Sequence, residues 1–275
     1  MERHLSRSHL FLSVALLIAG TATLPAQTPT PPAPFEPTVG QAGKDVVWVP
    51  TPEALVEKML DMAEVGPSDL VMDLGSGDGR NIIGAAKRGA RAVGVEFNPD
   101  MVALARHRAS EAGIGDKATF IEGDMYAADI SKATVMALFL LPVNMDKLAP
   151  KFLELAPGSR IVANTFGISG WNPDRTESVT ASGCTSWCTA LLWTVPAKVA
   201  GTWQTPQGDL MLTQDFQVVA GTLGSMPIVD GKLTGRMLQF STGASEHSAE
   251  VSGDTMTGTV TTNGRQERWT ATRRQ

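Results

Sequence analysis

The chain has 275 residues, with 23 Lys+Arg against 28 Asp+Glu, a formal net charge of −5. That length suits one large domain or two ordinary ones, and 43% apolar with 19% charged residues suits a buried core rather than a disordered chain. The acidic balance removes the uniform basic field that non-specific nucleic-acid binding relies on, and two cysteines with four histidines, His4 and His9 among them, leave little from which to build a metal site.

Arg3 and Arg7 precede the apolar run Leu10–Ala19, and Gly20–Ala26 is an exit of mostly small residues. This pattern predicts a secretory signal over residues 1–26, cut after Ala26. The run is shorter than the ~20 apolar residues of a membrane-spanning helix. Export to the periplasm or beyond is therefore expected, with a membrane anchor through residues 10–20 as the alternative. Residues 27–45 follow as a linker whose Pro/Thr alternation favours extended backbone.

From there strands and helices alternate. Thr51 is a cap residue and Pro52 opens a helix whose apolar positions are Leu55, Met59, Met62 and Ala63. Leu70–Leu74 is a short apolar strand ending in glycines, and helical spacing resumes from Asn81 to Lys87. Ala92–Phe97 and Ala118–Glu122 are further strands, separated by a helix from Pro99 to Ala112. Thr134–Leu141 and Ser159–Thr165 continue the series, with a helix over Met145–Leu155 between them. Alternating apolar strands and helices predict a parallel sheet covered on both faces.

From about Gly201 the helical period is lost. Gly208–Gln214, Phe216–Leu223, Lys232–Ser241 and Asp254–Arg274 alternate instead, and Asp230-Gly231, Gly253-Asp254 and Asn263-Gly264 are expected hairpin turns. Phe216-Val218-Ala220 and Met256-Gly258-Val260 supply one apolar face per strand. Residues 201–275 are thus expected to form a small antiparallel sheet or barrel of about eight strands. It either folds separately from residues 46–200 or packs on their sheet and completes its core.

The chemistry concentrates in Asp73-Leu74-Gly75-Ser76-Gly77-Asp78-Gly79-Arg80, where the first strand turns into a helix. Gly75 and Gly77 permit a tight turn and close approach of a ligand, and the helix start offers unpaired N–H donors. Glu96 lies at the tip of the next strand, placed to accept both hydroxyls of a ribose. Asp124 and Met125 follow at the tip of the third, suited to an adenine edge. A dinucleotide fingerprint would place its third glycine at residue 80, which is Arg80.

The G-x-G-x-G spacing, with an acid two residues before it, resembles motif I of class I S-adenosylmethionine-dependent methyltransferases. Val49-Pro50-Thr51-Pro52, the Asp73–Arg80 loop, Gly94-Val95-Glu96 and Leu138–Pro142 are similar to the lysine methyltransferases of the mitochondrial adenine nucleotide translocase and of the ATP synthase ring protein, and to their bacterial relatives. The likeness spans roughly Val46 to Val199. It implies a Rossmann-like seven-stranded α/β fold over residues 46–200 and cofactor contacts at Pro50, Thr51, Asp73, Gly75, Ser76, Gly77, Asp78, Gly79, Glu96, Asp124 and Met125. Trp48 stands where a Tyr is expected, and Asn144 follows Pro142 by two residues where three are expected.

Methyl transfer is therefore the expected reaction, with a protein lysine as the acceptor the resemblance implies and a small molecule as the other possibility. No metal and no nucleic-acid partner are expected. The sulfonium already activates the methyl group, so the protein mainly aligns a nucleophile, and no dedicated base stands out. Asn144 and Tyr126 are the catalytic candidates, with Asp78 and Asn164 also able to line the cleft. Asn144 equally suits a helix cap. The competing function is an exported binding protein whose nucleotide-type fold lacks catalysis and whose β tail holds a partner. Cys184 and Cys188 form a bridge if a turn brings them together in an oxidising compartment, or otherwise remain a buried free pair. Trp171, Trp187, Trp193, Trp203 and Trp269 suit core and strand-edge packing.

Overall fold

The computed structural model describes residues 35–180 and 184–274; the expected signal and residues 27–34 of the linker lie outside the described residues. Eleven elements build the first half in chain order: α1 (Glu53–Met62), β1 (Leu70–Leu74), α2 (Arg80–Lys87), β2 (Arg91–Glu96), α3 (Pro99–Glu111), β3 (Ala118–Glu122), β4 (Val135–Leu138), α4 (Pro142–Phe152), β5 (Arg160–Asn164), β6 (Arg175–Ser178) and β7 (Thr189–Thr194). They form a seven-stranded sheet in the order β3-β2-β1-β4-β5-β7-β6. β1 to β5 pair in parallel, while β7 runs antiparallel to both β5 and β6.

Alternate strand residues feed two separate cores, as a sheet covered on both faces requires. Leu55 and Met59 of α1, Ile82 of α2 and Val102 of α3 pack with Val71, Ala92, Val135 and Val162 on one face. Met145, Leu148 and Phe152 of α4 pack with Met72, Leu74, Met136 and Ile161 on the other. The order of the strands reverses at β1, between β2 and β4, and ligands of open α/β sheets bind outside the strand ends at such a point.

Several local expectations change. α4 starts at Pro142 with Leu141 as its cap residue, so Asn144 lies inside the first turn and caps nothing. Proline suits that first position because its missing N–H is unneeded there. The fourth strand ends at Leu138, leaving Phe139–Leu141 as a connection. Thr51 gives α1 no side-chain cap; its hydroxyl instead accepts the Asn164 Nδ2 at 3.4 Å.

The second half is all strand: β8 (Gly201–Thr205), β9 (Gly208–Asp215), β10 (Val218–Leu223), β11 (Met226–Pro227), β12 (Val229–Thr234), β13 (Met237–Thr242), β14 (Ser245–Ser252), β15 (Thr255–Thr262) and β16 (Arg265–Arg273). Antiparallel pairs run β10-β12-β13-β14-β15-β16-β8-β9, and β9 pairs back with β10, closing an eight-stranded barrel to which β11 adds a short flap. Closure leaves no open edge for another chain to extend. Trp203, Leu210, Leu233, Leu238, Met256 and Trp269 fill the inside. Gly258 is obligatory here, since a Cβ on it would lie 1.9 Å from the Ser248 carbonyl oxygen.

The Asn263-Gly264 turn has φ of 51° and 79°, the left-handed pair that a two-residue hairpin favours. Asp230-Gly231 is not a turn. Both residues lie inside β12, where the register against β13 shifts between Val229 and Lys232, so the dipeptide makes a bulge. The hairpin turn falls at Gly235-Arg236 instead.

Phe216 also departs from its expected strand. It occupies the turn between β9 and β10 at φ 50°, which moves the inward face of β10 to Val219 and Leu223 and leaves Val218 exposed. The reason is a packing partner outside the barrel. Phe216 stacks on Trp171 with ring centroids 5.2 Å apart, and Trp171 meets Trp193 of β7 edge-on at 6.4 Å. Gln217 Nε2 donates to the Asn172 carbonyl at 2.7 Å beside them.

Candidate active site

The loop between β1 and α2 is drawn over the tip of β2. Gly75 and Ser76 donate their backbone N–H groups to the Val95 carbonyl at 2.8 and 3.1 Å. Glu96, the last residue of β2, braces the same loop: its Oε2 accepts the Gly77 N–H and its Oε1 the Asn98 N–H, both at 2.9 Å. Each carboxylate oxygen keeps a second lone pair for another donor. Gly79 stands at φ 84° where α2 begins, and a Cβ there would meet the Phe120 ring at 2.7 Å. That glycine lets α2 settle onto β3.

A cleft opens above this loop, lined by Pro50, Thr51, Asp73, Gly75–Asp78, Arg80, Asn81, Glu96 and Phe139. A second compartment shares Gly75 and Glu96 with it and extends to Phe97, Gly123, Asp124 and Met125. Residues 40–48 strap over both. Gly40 donates to the Trp48 carbonyl at 2.8 Å, and Ala42 and Val47 bridge antiparallel. The Trp48 indole lies on the loop so closely that a Cβ on Gly77 would be 2.8 Å from its Nε1. Lys44 reaches from the strap to Asp124 Oδ2 at 2.6 Å.

The polar groups of the cleft are unevenly satisfied. Asp73 is buried, its Oδ2 accepts from Asn81 Nδ2 at 3.0 Å, and its Oδ1 has no partner. Burial pushes the Asp73 carboxyl well above the usual carboxylate range, against the Asn81 hydrogen bond and with help from nearby Glu96 and Asp78. Ser76 Oγ and Asn81 Oδ1 are likewise buried and unpartnered. Such groups are costly unless a ligand completes them. A cofactor carrying an ammonium and hydroxyls fits them.

Asp78 and Asp124 differ from Asp73. Burial raises the Asp78 carboxyl, but Arg80 and Arg108 outweigh it and hold the group below its ordinary value. Both arginines pair with it directly. Arg80 in turn donates to the Thr51 carbonyl at 2.6 Å, so Asp78 fixes the Pro50–Thr51 wall through Arg80. Asp124 is held low by Lys44 and by the Tyr126 N–H, which donates to its Oδ1 at 2.8 Å.

Tyr126 and Asn144 meet each other rather than the cleft. The Tyr126 hydroxyl donates to Asn144 Oδ1 at 3.1 Å, Asn144 Nδ2 reaches the Asp45 carbonyl at 3.3 Å, and the Lys147 ammonium sits 3.4 Å from the Tyr126 ring centre. Neither is among the residues lining the two compartments. Their bonds brace the strap. Sequence reasoning missed the roles of Lys44, Trp48, Asn81 and Phe139, although Trp48 and Phe139 lie in or beside the segments that carry the family resemblance and Asn81 is only eight residues from Asp73 at the start of α2. Among the described residues no cluster of His, Cys, Asp and Glu could hold a metal ion.

Comparison with known proteins covers this half of the chain. The family described as ANTKMT methyltransferase domain matches residues 73–175. A protein-lysine N-methyltransferase of Saccharolobus islandicus is 45% identical over 137 residues, 49% of this chain and 85% of that protein. The adenine nucleotide translocase lysine N-methyltransferase of Mus musculus is 35% identical over 120 residues, 43% of this chain and 52% of the relative's length. The crystal structure of an RNA methyltransferase from Salinibacter ruber in complex with S-adenosyl-L-homocysteine is 44% identical with a TM-score of 0.51, covering 55% of this chain and 96% of that one.

Proposed function

Because the chain belongs to the ANTKMT methyltransferase-domain family of class I S-adenosylmethionine-dependent methyltransferases, we propose that it methylates lysine side chains of proteins outside the cytoplasm. S-adenosylmethionine, when bound, supplies an electrophilic methyl group on a sulfonium. The unpartnered buried trio Asp73, Ser76 and Asn81 carries this reading: it receives the polar amino-acid end of the cofactor. Glu96 accepts the ribose hydroxyls, and Phe97, Asp124 and Met125 enclose the base. Gly75, Gly77 and Gly79 keep the loop close, Pro50 and Thr51 form the facing wall, and Asp78 secures that wall through Arg80.

The lysine acceptor rests on relatives named for lysine. One relative is named as an RNA methyltransferase, but a net charge of −5 offers no basic field for a phosphate backbone and favours a protein. Envelope proteins from cells lacking the enzyme, incubated with it and methyl-tritiated S-adenosylmethionine, are expected to carry the label on lysine after acid hydrolysis. Label recovered only in RNA or in small molecules would overturn the assignment.

Export is supported by the basic start and short apolar run of residues 1–26, and by the Cys184–Cys188 disulfide, whose Cα atoms lie 5.8 Å apart across a turn. No helix among the described residues is long and apolar enough to cross a membrane. Protein recovered from the envelope fraction is expected to begin at Gln27. Sequencing that finds the N-terminus at Met1 would replace the cleaved signal with an anchor through residues 10–20.

A further inference from the structure

Three aromatic rings gather where β4 and β5 end. Phe139 and Phe166 are stacked with centroids 6.1 Å apart, and Trp187 tilts against Phe139 at 6.2 Å. Phe139, alone of the three, also lines the cofactor cleft, which places the cluster beside it. β4 and β5 are neighbours, with Leu138 opposite Ala163. The residues that follow, Phe139 on one strand and Asn164-Thr165-Phe166 on the other, therefore leave the sheet side by side.

Two acceptors in that corner have nothing to accept. Asn164 is fully buried, yet its Oδ1 has no partner, and the Thr165 hydroxyl is buried and unpaired as well. The other end of Asn164 touches Thr51, itself part of the cleft wall. Thr165 holds φ 56°, a left-handed conformation that a β-branched residue avoids. Strain and unpaired polar groups in one place mark a site kept for a ligand.

Trp187 is the outer member. It is 44% exposed at φ 55°, unlike Trp171, Trp193, Trp203 and Trp269, which are all buried. It lies inside the small ring closed by Cys184 and Cys188, whose Cα atoms are 5.8 Å apart. An exposed tryptophan tilted against Phe139 has no role in the core. Aromatic faces attract cations, most strongly the indole, and quaternary ammonium groups are recognised in this way.

We propose that Phe139, Phe166 and Trp187 form the binding site for the acceptor's lysine side chain, with Asn164 Oδ1 and Thr165 Oγ1 accepting its N–H groups and the disulfide ring holding Trp187 as the outer wall. The methylene stem lies along the rings while the nitrogen reaches the corner beside the cofactor cleft. Trp187 is then a specificity residue for the methyl acceptor and does not touch the cofactor. The proposal rests on the lysine reading above and names the residues that would deliver it.

The test uses the full exported chain with S-adenosylhomocysteine present and N-acetyl-Nε-monomethyllysine amide, which keeps its N–H donors, as the probe, observed by saturation-transfer NMR. S-adenosylmethionine affinity is measured in parallel by calorimetry. Wild-type protein is expected to saturate the probe's methylammonium signal. Trp187→Ala should weaken probe binding roughly 5- to 30-fold by uncovering the methylene stem, Trp187→Phe should restore most of it, and the Cys184→Ser/Cys188→Ser double variant should fall between. Cofactor affinity should be unchanged in all three. A probe that fails to bind the cofactor-competent wild type, or binds Trp187→Ala equally well, overturns the aromatic site. Failure of S-adenosylmethionine itself to bind would instead overturn the functional reading beneath it.

Discussion

Glu96→Ala is expected to weaken S-adenosylmethionine binding by about 2–4 kcal/mol, measured by calorimetry on protein that still folds. The carboxylate does two jobs in one position. It accepts the backbone N–H of Gly77 and of Asn98, and so holds the glycine loop against the tip of β2. On the reading proposed above, its remaining lone pairs would accept two ribose hydroxyls. The substitution removes the acceptor and loosens the loop together, whereas Glu96→Gln keeps one amide oxygen and should recover part of the loss. Unchanged affinity in a folded Glu96→Ala protein would remove the ribose assignment.

For Asp73→Asn the expected effects point in opposite directions. Binding should weaken by about 1.5–3 kcal/mol, because a charge-assisted acceptor becomes a neutral one. The cofactor-free protein should become more stable near neutral pH. The sign follows from the carboxyl's raised folded-state value. The folded protein holds that proton to higher pH than the unfolded chain does, so stability is lost as pH rises from the ordinary carboxylate pKa of ~3.9 toward the raised value. Asparagine has no such loss, and the variant's advantage should vanish in acid. Thermal melts across pH read the crossover; a variant less stable than wild type at neutral pH would show that Asp73 holds the apo fold together as an anion.

The placement of Asp73, Glu96 and Asp124 could be read in advance because a strand–helix grammar puts the C-terminal ends of successive parallel strands at one edge of the sheet. Each acid needed only its own strand to be located. What closes over them could not be read this way. Lys44 meets Asp124 from 80 residues away in sequence, from a linker whose composition announces only extended backbone. Asn144 looked like a cap because polar residues near helix starts usually are, but Pro142 supplied the start and freed its amide for Tyr126 and Asp45. In the barrel, alternation located the strands, yet it assigned Phe216 to the interior. Tertiary packing against Trp171 overrode the period and shifted the inward face of β10 by one residue.

The ring of the barrel is sealed by its own two ends. β16, the last strand made, pairs with β8, the first, and Arg273 donates to the Ala200 and Lys198 carbonyls at 2.6 Å while covering the Trp203 ring at 4.2 Å. The sealing contact is therefore among the most distant in sequence within residues 201–275 and becomes available only after the strands between β8 and β16 have emerged. Long-range pairings of this kind are slow to form. The strands of the methyltransferase sheet are all synthesised before β8 appears, so that sheet can assemble while the barrel is still an open ribbon. A chain that stopped a few residues short would carry a complete cofactor cleft beside an unsealed, edge-exposed sheet, the form most prone to capture by proteases or by another copy of itself.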